Sequence, residues 1–305
     1  MIRALAVAFA IAPAAWAQAT DIPRTANGHP DFHGVWESRW RTPLERPQEA
    51  DGPVVGPEKA EALVAAMEAR FFKESLNPES DFDWGPLMPA QGGGFPTSLI
   101  VEPTDGKQPL TPAAKEWAKS IKAARDEAEG PEARNLWERC IHGPGGAPLG
   151  ITPGNMNRLF VQTDDHLVIN TEDMAQTRSI EFAAGRRPAE LVSHMGESKG
   201  RWDGDALIVE TRLLRPDAAA PPTSDPATER IVTETFQLNS PDQLAYSYQL
   251  HDTAMFLAPV RVEFILLRTN SRMFEASCHE GNYSLIGILQ GAREMEQQAG
   301  SKREP

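Results

Sequence analysis

The chain has 305 residues, 40% of them hydrophobic, and a formal net charge of −13. This length suits one large domain or two small ones, and the apolar content is sufficient for a buried core. The acidic balance argues against nucleic acid or an anionic membrane surface as a partner, because clustered lysines and arginines bind both.

The first residues have the pattern of a cleavable secretory signal. Arg3 gives the positive start, Ala4 to Ala14 form a short apolar run, and Ala15-Trp16-Ala17 matches the small-x-small cleavage pattern. The run is too short to span a bilayer of about 30 Å, which argues against a membrane anchor. The sequence therefore predicts a periplasmic or secreted protein from which residues 1–17 are removed by cleavage after Ala17.

Residues 18–157 are predicted to form a helical and irregular segment packed on the main body. The first part is rich in proline, and Trp36 and Trp40 are predicted to anchor it. Apolar residues at helical spacing follow Pro57. Thr111-Pro112 is typical of a helix start, because a capping hydroxyl precedes a proline at the first helical position. A further helix is predicted to begin at Pro131 and to end near Cys140.

From Arg158 the chain changes to the alternating pattern of β-strands. Four successive hairpins are predicted, with turns at Asp164-Asp165, Asp203-Gly204, Asn239 to Gln243 and Asn270-Ser271. The last hairpin would pair Val260 to Arg268 with Met273 to Ser277. Closure of such a meander removes exposed edges. The predicted fold is mainly β (α+β): a barrel or lipocalin-like sandwich over residues 158–283, followed by a C-terminal helix and tail over 284–305.

The chain has two cysteines, Cys140 and Cys278. In an oxidising compartment an isolated pair is first interpreted as a disulfide. Two buried thiols or a nucleophilic cysteine are the alternatives.

No standard motif for a nucleotide, phosphate or catalytic metal is present. His29 and His33 are four residues apart, but Pro30 disfavours a helical metal-binding pair. We therefore predict neither a cofactor nor a metal.

The densest polar cluster runs from Glu275 to Tyr283. Strand alternation would place Glu275 and His279 on one face and Glu280 on the other. A carboxylate and an imidazole that face a barrel interior suit general acid–base catalysis, which makes these three residues the catalytic candidates. The alternative is that His279 and Glu280 cap the strand end and the next helix.

Two arginines, Arg158 and Arg178, are candidates for a bidentate contact to a substrate carboxylate. The alternative is that they form surface pairs with glutamates. The predicted substrate-binding residues are Asn157, Arg158, Arg178, Trp202 and Tyr283, and the predicted aromatic wall is Trp202, Tyr246, Tyr248 and Tyr283.

Several motifs occur together that are individually weak. They are Pro30 to Trp36, Thr42 to Pro47, Ser98 to Val101, Arg139-Cys140, Gly200 to Asp205, Val209 to Thr211 and Cys278 to Tyr283. Over nearly the whole mature chain, the sequence resembles a family of exported proteins of soil and aquatic bacteria with GRW[DE]GD and CHEGNY motifs. The resemblance implies a β-barrel-like body and a Cys140–Cys278 disulfide, and it implies no activity.

Three functional hypotheses follow. The first is a cofactor-independent lyase or isomerase that performs decarboxylation, elimination or a double-bond shift on a small hydrophobic or aromatic compound. The alternative is a periplasmic barrel that binds or carries a small molecule without turnover. The third is a module that docks another exported protein through its proline-rich arm. A deep pocket with an unpaired Glu and His would favour the enzyme, and an apolar cavity whose polar groups satisfy one another would favour the carrier.

Overall fold

The computed structural model describes residues 21–74, 85–90, 92–143, 145–150, 156–183, 185–215 and 230–301. The predicted signal peptide lies outside these ranges. Within them, no helix is both long enough and apolar enough to cross a membrane.

The described residues form twelve strands and three α-helices. The strands are β1 (Gly34–Ser38), β2 (Val54–Val55), β3 (Phe95–Pro96), β4 (Ile100–Glu102), β5 (Met156–Gln162), β6 (His166–Thr171), β7 (Gln176–Glu181), β8 (Glu197–Asp203), β9 (Ala206–Arg212), β10 (Ile231–Ser240), β11 (Gln243–His251) and β12 (Val260–Thr269). The helices are α1 (Pro57–Glu74), α2 (Pro112–Glu127) and α3 (Tyr283–Ser301).

Nine strands close into a barrel in the order β1, β5, β6, β7, β8, β9, β10, β11 and β12, and β12 pairs with β1 to complete the circle. The closing strand therefore comes from the N-terminal segment, which builds part of the wall as well as packing against it. Strand β4 comes from the same segment and pairs with β12 at Arg261 and Val262. Closure leaves few strand edges exposed, as expected of a barrel.

The first three predicted hairpins are confirmed. They are β5–β6, β8–β9 and β10–β11, and all three pairs are antiparallel. The turn between β8 and β9 contains Gly204 with φ of 60°, a left-handed conformation that favours glycine.

The fourth predicted hairpin is wrong. Strand β12 forms, but Met273 to Ser277 contribute only an isolated bridge between Ala276 and Asp173. The physical reason is that β12 already has β11 on one side and β1 with β4 on the other. No free edge of β12 remains to which another strand could pair.

One barrel neighbour pair is parallel and very short. Strands β7 and β8 share only two residue pairs, Ile180 with Ser198 and Glu181 with Lys199. The connection between them must return to the same end of the barrel, because parallel neighbours need a crossover. The wall is therefore held by fewer backbone hydrogen bonds at this junction than at the long antiparallel pairs.

The predicted tryptophan anchors are confirmed. Trp36 is fully buried on β1, and its indole donates to the carbonyl of Phe32 at 2.9 Å. Trp40 donates to the carbonyl of Ile265 on β12 at 2.8 Å. Phe32 in turn packs on Trp202 near the β8–β9 turn, with ring centroids 5.6 Å apart. These contacts build the apolar half of the interior.

The helices follow the predicted starts, with one exception. Thr111 caps α2 by accepting a hydrogen bond from the backbone N–H of Ala114 at 3.1 Å. The helix predicted after Pro131 is only the short 3-10 turn Pro131–Ala133. Helix α3 confirms the predicted C-terminal helix, and Arg293 attaches it to the carbonyl of Ala128 at 3.0 Å.

A disulfide joins Cys140 to Cys278, which confirms the favoured interpretation of the cysteine pair. The two Cα atoms are 5.7 Å apart, and the residues are separated by 138 positions in the chain. Asn282 strengthens this junction by donating to the carbonyl of Glu138 at 2.9 Å. The bond therefore fixes the start of α3 to the segment that precedes the barrel.

We expect the double substitution Cys140→Ser/Cys278→Ser to lower the free energy of unfolding by about 4 kcal/mol, because it releases a long loop in the unfolded chain. Urea denaturation followed by tryptophan fluorescence measures the change. Reduced wild type serves as the control and should unfold at the same urea concentration as the variant. An unchanged midpoint in both would show that the bond does not stabilise the domain.

Candidate functional site

The predicted catalytic residues do not face the barrel interior. Glu275, His279 and Glu280 are all exposed, in a segment that leads from β12 into α3. The expected inward projection is wrong, because the strand on which it depended does not form. The helix cap is supplied by Asn282, whose side-chain oxygen accepts from the N–H of Leu285 at 3.3 Å.

This segment borders a shallow surface cleft of about 300 Å³. Its lining residues are Trp137, Glu138, Asp173, Ala276, Ser277, Cys278, Gly281 and Asn282. Trp137 is half exposed there and donates its indole N–H to Asp173 at 2.7 Å. The three predicted catalytic residues are not among the residues that line the cleft.

The predicted binding residues are distributed over different environments. Arg158 and Arg178 are both fully buried in the barrel. Asn157 bonds instead to Glu172, with its amide nitrogen 3.1 Å from the carboxylate. Trp202 belongs to the apolar half of the interior, whereas Tyr283 is 79% exposed on α3. The structure brings together only the two arginines.

A buried ion pair lies at the centre of the polar half of the barrel. Arg178 on β7 contacts both carboxylate oxygens of Glu234 on β10, at 2.9 Å for one of them. The same guanidinium donates to Ser198 on β8 at 3.0 Å and to Thr211 on β9 at 2.9 Å. Tyr246 on β11 donates its hydroxyl to Glu234 at 2.7 Å. We call these five residues the interior network.

The interior network satisfies its own hydrogen-bonding groups. Both oxygens of Glu234 accept from Arg178, and all three guanidinium nitrogens of Arg178 donate. Ser198 and Thr211 also bond to each other at 2.9 Å. The carboxylate that Arg178 holds therefore belongs to this chain, where a substrate carboxylate or a surface glutamate was predicted. Satisfied polar networks of this kind rigidify a protein interior.

The charges in the network perturb one another. Burial alone lowers the pKa of Arg178, but the charge and hydrogen bonds of Glu234 outweigh burial and raise it. Burial, followed by the charge of Glu234, raises the pKa of Tyr246 well above its usual value. The same two causes raise the pKa of Tyr248 to about 12. Both tyrosines therefore stay protonated across the physiological range.

Arg158 lies close to this network, near Tyr246, and its guanidinium donates to the carbonyl of Gly150. Burial lowers the pKa of Arg158 to about 10, and Tyr246 partly opposes that change. Its folded pKa is below the ordinary value, so burial of the charge works against stability at neutral pH. That penalty falls as the pH rises above about 10.

A short segment covers the polar half of the barrel. We call Gly145 to Gly150 the strap. Within it, the N–H of Leu149 donates to the Tyr246 hydroxyl at 2.8 Å, and the carbonyl of Gly150 accepts from Arg158. Beneath the strap, the buried hydroxyl of Thr171 has no hydrogen-bond partner in the part of the chain that the structure describes.

A cavity of about 270 Å³ lies at the parallel β7–β8 junction; we call it the junction cavity. It is lined by Thr177, Arg178, Ser179, Glu181, Arg187, Ser193, Met195, Gly196, Glu197 and Ser198. Arg178 and Ser198 belong to both the cavity wall and the interior network. Glu197 is buried at this wall and accepts from the N–H of Arg187 at 2.7 Å.

The lining gives the junction cavity a polar character. Four of its ten residues carry hydroxyl groups, Arg187 carries a guanidinium group outside the interior network, and Glu181 and Glu197 carry carboxylates. Such groups bind hydroxyl and carboxylate groups by directed hydrogen bonds. The arrangement can hold and orient a small polar molecule against a rigid wall.

The role of Glu234 was not among the predictions from the sequence. Its signal was present, since Glu234 alternates with the apolar residues Val232 and Phe236 on one face of a strand. A charged residue at an inward position of a barrel strand needs a partner. The partner is Arg178, whose own inward position is equally visible from Ile180.

Comparison with known proteins gives no match, either to a protein-family model or to a curated sequence. Among the described residues, no group of three or more His, Cys, Asp or Glu side chains is placed to hold a metal ion.

The two buried arginines should lose different amounts of stability on the same substitution. Arg178→Met leaves the Glu234 charge buried and should cost about 3–5 kcal/mol of unfolding free energy. Arg158→Met also removes the unfavourable burial of a charge, so its cost should be smaller by about 2 kcal/mol or more. Urea denaturation at pH 7 measures both. Equal losses would contradict the assigned roles.

Proposed function

We propose that this is an exported protein that binds a small polar molecule in the junction cavity, without turnover. The observation that carries the proposal is the shared wall: Arg178 and Ser198 line the cavity while the interior network holds them in place. Preorganised polar groups favour binding, because little side-chain freedom is lost when a ligand arrives.

The hydrogen bonds and protonation of the interior network support ligand binding over catalysis by proton transfer. Glu234 is engaged by Arg178 and Tyr246, and the pKa of Tyr246 is raised well above its usual value. A general acid or base works best with a pKa near the operating pH and with access to the proton that moves. Tyr246 does not meet the first condition, and burial of the network denies it the second.

The size and lining of the junction cavity support a small ligand with hydroxyl or carboxylate groups. About 270 Å³ lies just below the usual range for sites of drug-sized ligands. Arg187 lies at the partly exposed side of the lining, where its guanidinium bonds to the carbonyl of Gly196 at 2.6 Å. This polar lining favours a hydroxy acid or a polyol over the hydrophobic or aromatic compound predicted from the sequence.

The proposed location rests on two observations. The N-terminal sequence has the pattern of a signal peptide, and the disulfide is of the kind that persists in oxidising compartments. Together they favour the periplasm or the medium.

Filling the junction cavity tests the proposal. Ser179→Phe places a ring at an exposed strand position that lines the cavity, and Gln249→Phe places the same ring on β11, away from it. We expect one or more of glycerate, malate, citrate and ribose to raise the melting temperature of wild type and Gln249→Phe, but not of Ser179→Phe. A ligand that stabilises all three equally would place its site elsewhere.

A cofactor-independent lyase or isomerase is the second candidate. One observation favours it: an imidazole and two carboxylates, those of His279, Glu275 and Glu280, are exposed on the segment that borders the surface cleft. Mass spectrometry of small molecules incubated with wild type and with His279→Ala/Glu280→Gln tests this candidate. Consumption by wild type alone would support the enzyme, whereas a retained but unchanged ligand in both would support binding.

A further inference from the structure

A glutamine at the start of β7 holds the chain that leads into the strap. The side-chain oxygen of Gln176 accepts hydrogen bonds from the N–H groups of Gly143 at 3.1 Å and Gly145 at 3.2 Å. Its side-chain nitrogen lies 2.9 Å from Nδ1 of His142. One amide therefore joins three points of the segment that runs into the strap.

This arrangement fixes the protonation state of one histidine nitrogen. Two backbone N–H donors face Gln176, so the amide must present its oxygen to them. The amide nitrogen is a donor and therefore faces His142, whose Nδ1 must accept. A neutral imidazole with its proton on Nε2 can accept at Nδ1, whereas an imidazolium has no lone pair there.

The surroundings leave Gln176 little freedom to adapt. A Cβ atom added at Gly145 would lie 2.7 Å from the Cβ of Gln176. Reversing the amide would turn its NH₂ group toward the two backbone donors. Protonation of His142 therefore breaks the contact between Nδ1 of His142 and the amide nitrogen of Gln176.

A second histidine lies against the first. The rings of His142 and His194 are stacked with centroids 5.5 Å apart, so two imidazolium charges would repel each other. Another titratable group in the described surroundings is Asp173, whose carboxylate would lie 3.1 Å from a Cβ at Gly143 and accepts from Trp137. Its charge would partly stabilise an imidazolium, but it offers no acceptor in place of Gln176, which faces Nδ1.

The histidine pair adjoins the junction cavity. His194 stands between Ser193 and Met195, both of which line the cavity, and Gln176 precedes Thr177, which lines it too. Displacement of either histidine therefore changes the cavity wall and loosens the strap above the interior network.

We propose that His142, Gln176 and His194 form a pH-sensitive latch that holds the strap and the cavity wall closed when the imidazoles are neutral and releases them on protonation. The latch can control ligand binding only if the junction cavity binds a ligand, so this part of the inference rests on the proposed function. The closed form binds fewer protons than the open form, so its stability is present at higher pH and is lost as the pH falls through the histidine range, ordinarily near 6.5.

Amide hydrogen exchange tests the latch without any ligand. In wild type, protection of the Gly143 and Gly145 amides, corrected for intrinsic exchange, should fall at least tenfold between pH 7.5 and 5.5. His142→Asn keeps an acceptor near the Nδ1 position and does not titrate, so it should stay protected at both pH values. Protection in wild type that is equal at both would overturn the proposal.

The substitution Gln176→Glu distinguishes the latch from general destabilisation. Its carboxylate still accepts from Gly143 and Gly145, and it also accepts from a protonated His142. The pH dependence should therefore vanish or reverse, an outcome that general destabilisation would not produce. A fall in protection equal to that of wild type would also overturn the latch. His251→Asn, a histidine substitution at an exposed position of β11, should behave as wild type.

The ligand measurement separates the latch from the proposed function. Malate and glycerate should stabilise wild type less at pH 5.5 than at pH 7.5, and should stabilise His142→Asn equally at both. If neither compound nor the rest of the panel binds while amide protection still changes with pH, the proposed function fails and the latch stands. If binding occurs and is equal at both pH values in wild type, control of binding by the latch is overturned.

Discussion

The buried contact between Arg178 and Glu234 connects the part of the wall that backbone pairing holds least. Strands β7 and β8 share two residue pairs, whereas β10 and β11 pair along nearly their whole lengths. The Arg178 guanidinium reaches across this junction to Ser198 on β8 and Thr211 on β9 before it meets Glu234 on β10. Side chains thus link four consecutive strands where the hydrogen bonds of the sheet are fewest.

Burial of this pair has an energetic consequence for the surrounding interior. Two charges removed from water are tolerated only when hydrogen bonds satisfy them, and a hydrophobic replacement of the pair is often as stable. Its presence at a cavity wall is therefore better explained by the polar surface that it holds in place than by stability alone. The strap depends on the same group of residues, because Leu149 bonds to Tyr246.

Much of the barrel could be predicted from local patterns. Turn sequences such as Asp203-Gly204 determine hairpins within a few residues, and alternation determines which side chains face inward. Closure by β1 could not be predicted in this way, since its partners β5 and β12 lie more than a hundred residues away. The false strand at Met273 to Ser277 had a plausible local pattern but no free edge to join.

The candidate site was predictable only in part, for a related reason. Arg158 and Arg178 were recognised as functional candidates, but Glu234 is 56 residues from Arg178, and only the closed barrel brings them into contact. The polar residues from Glu275 to Glu280 are adjacent in sequence, but they lie on an exposed segment outside the barrel interior. Density of polar residues along a chain indicates a turn as readily as a site.

The connection between β7 and β8 lines the junction cavity, whereas the strands that it joins form the barrel wall. Residues 187, 193, 195 and 196 of this connection supply almost half of the junction cavity's lining, and of these four only Ser193 pairs with a neighbouring segment, through an isolated bridge to Leu214. Connections of this kind tolerate insertions and substitutions far better than the strands that they join. If the junction cavity binds a ligand as proposed, exchange of this one loop would change which ligand is bound while the barrel beneath stays unaltered.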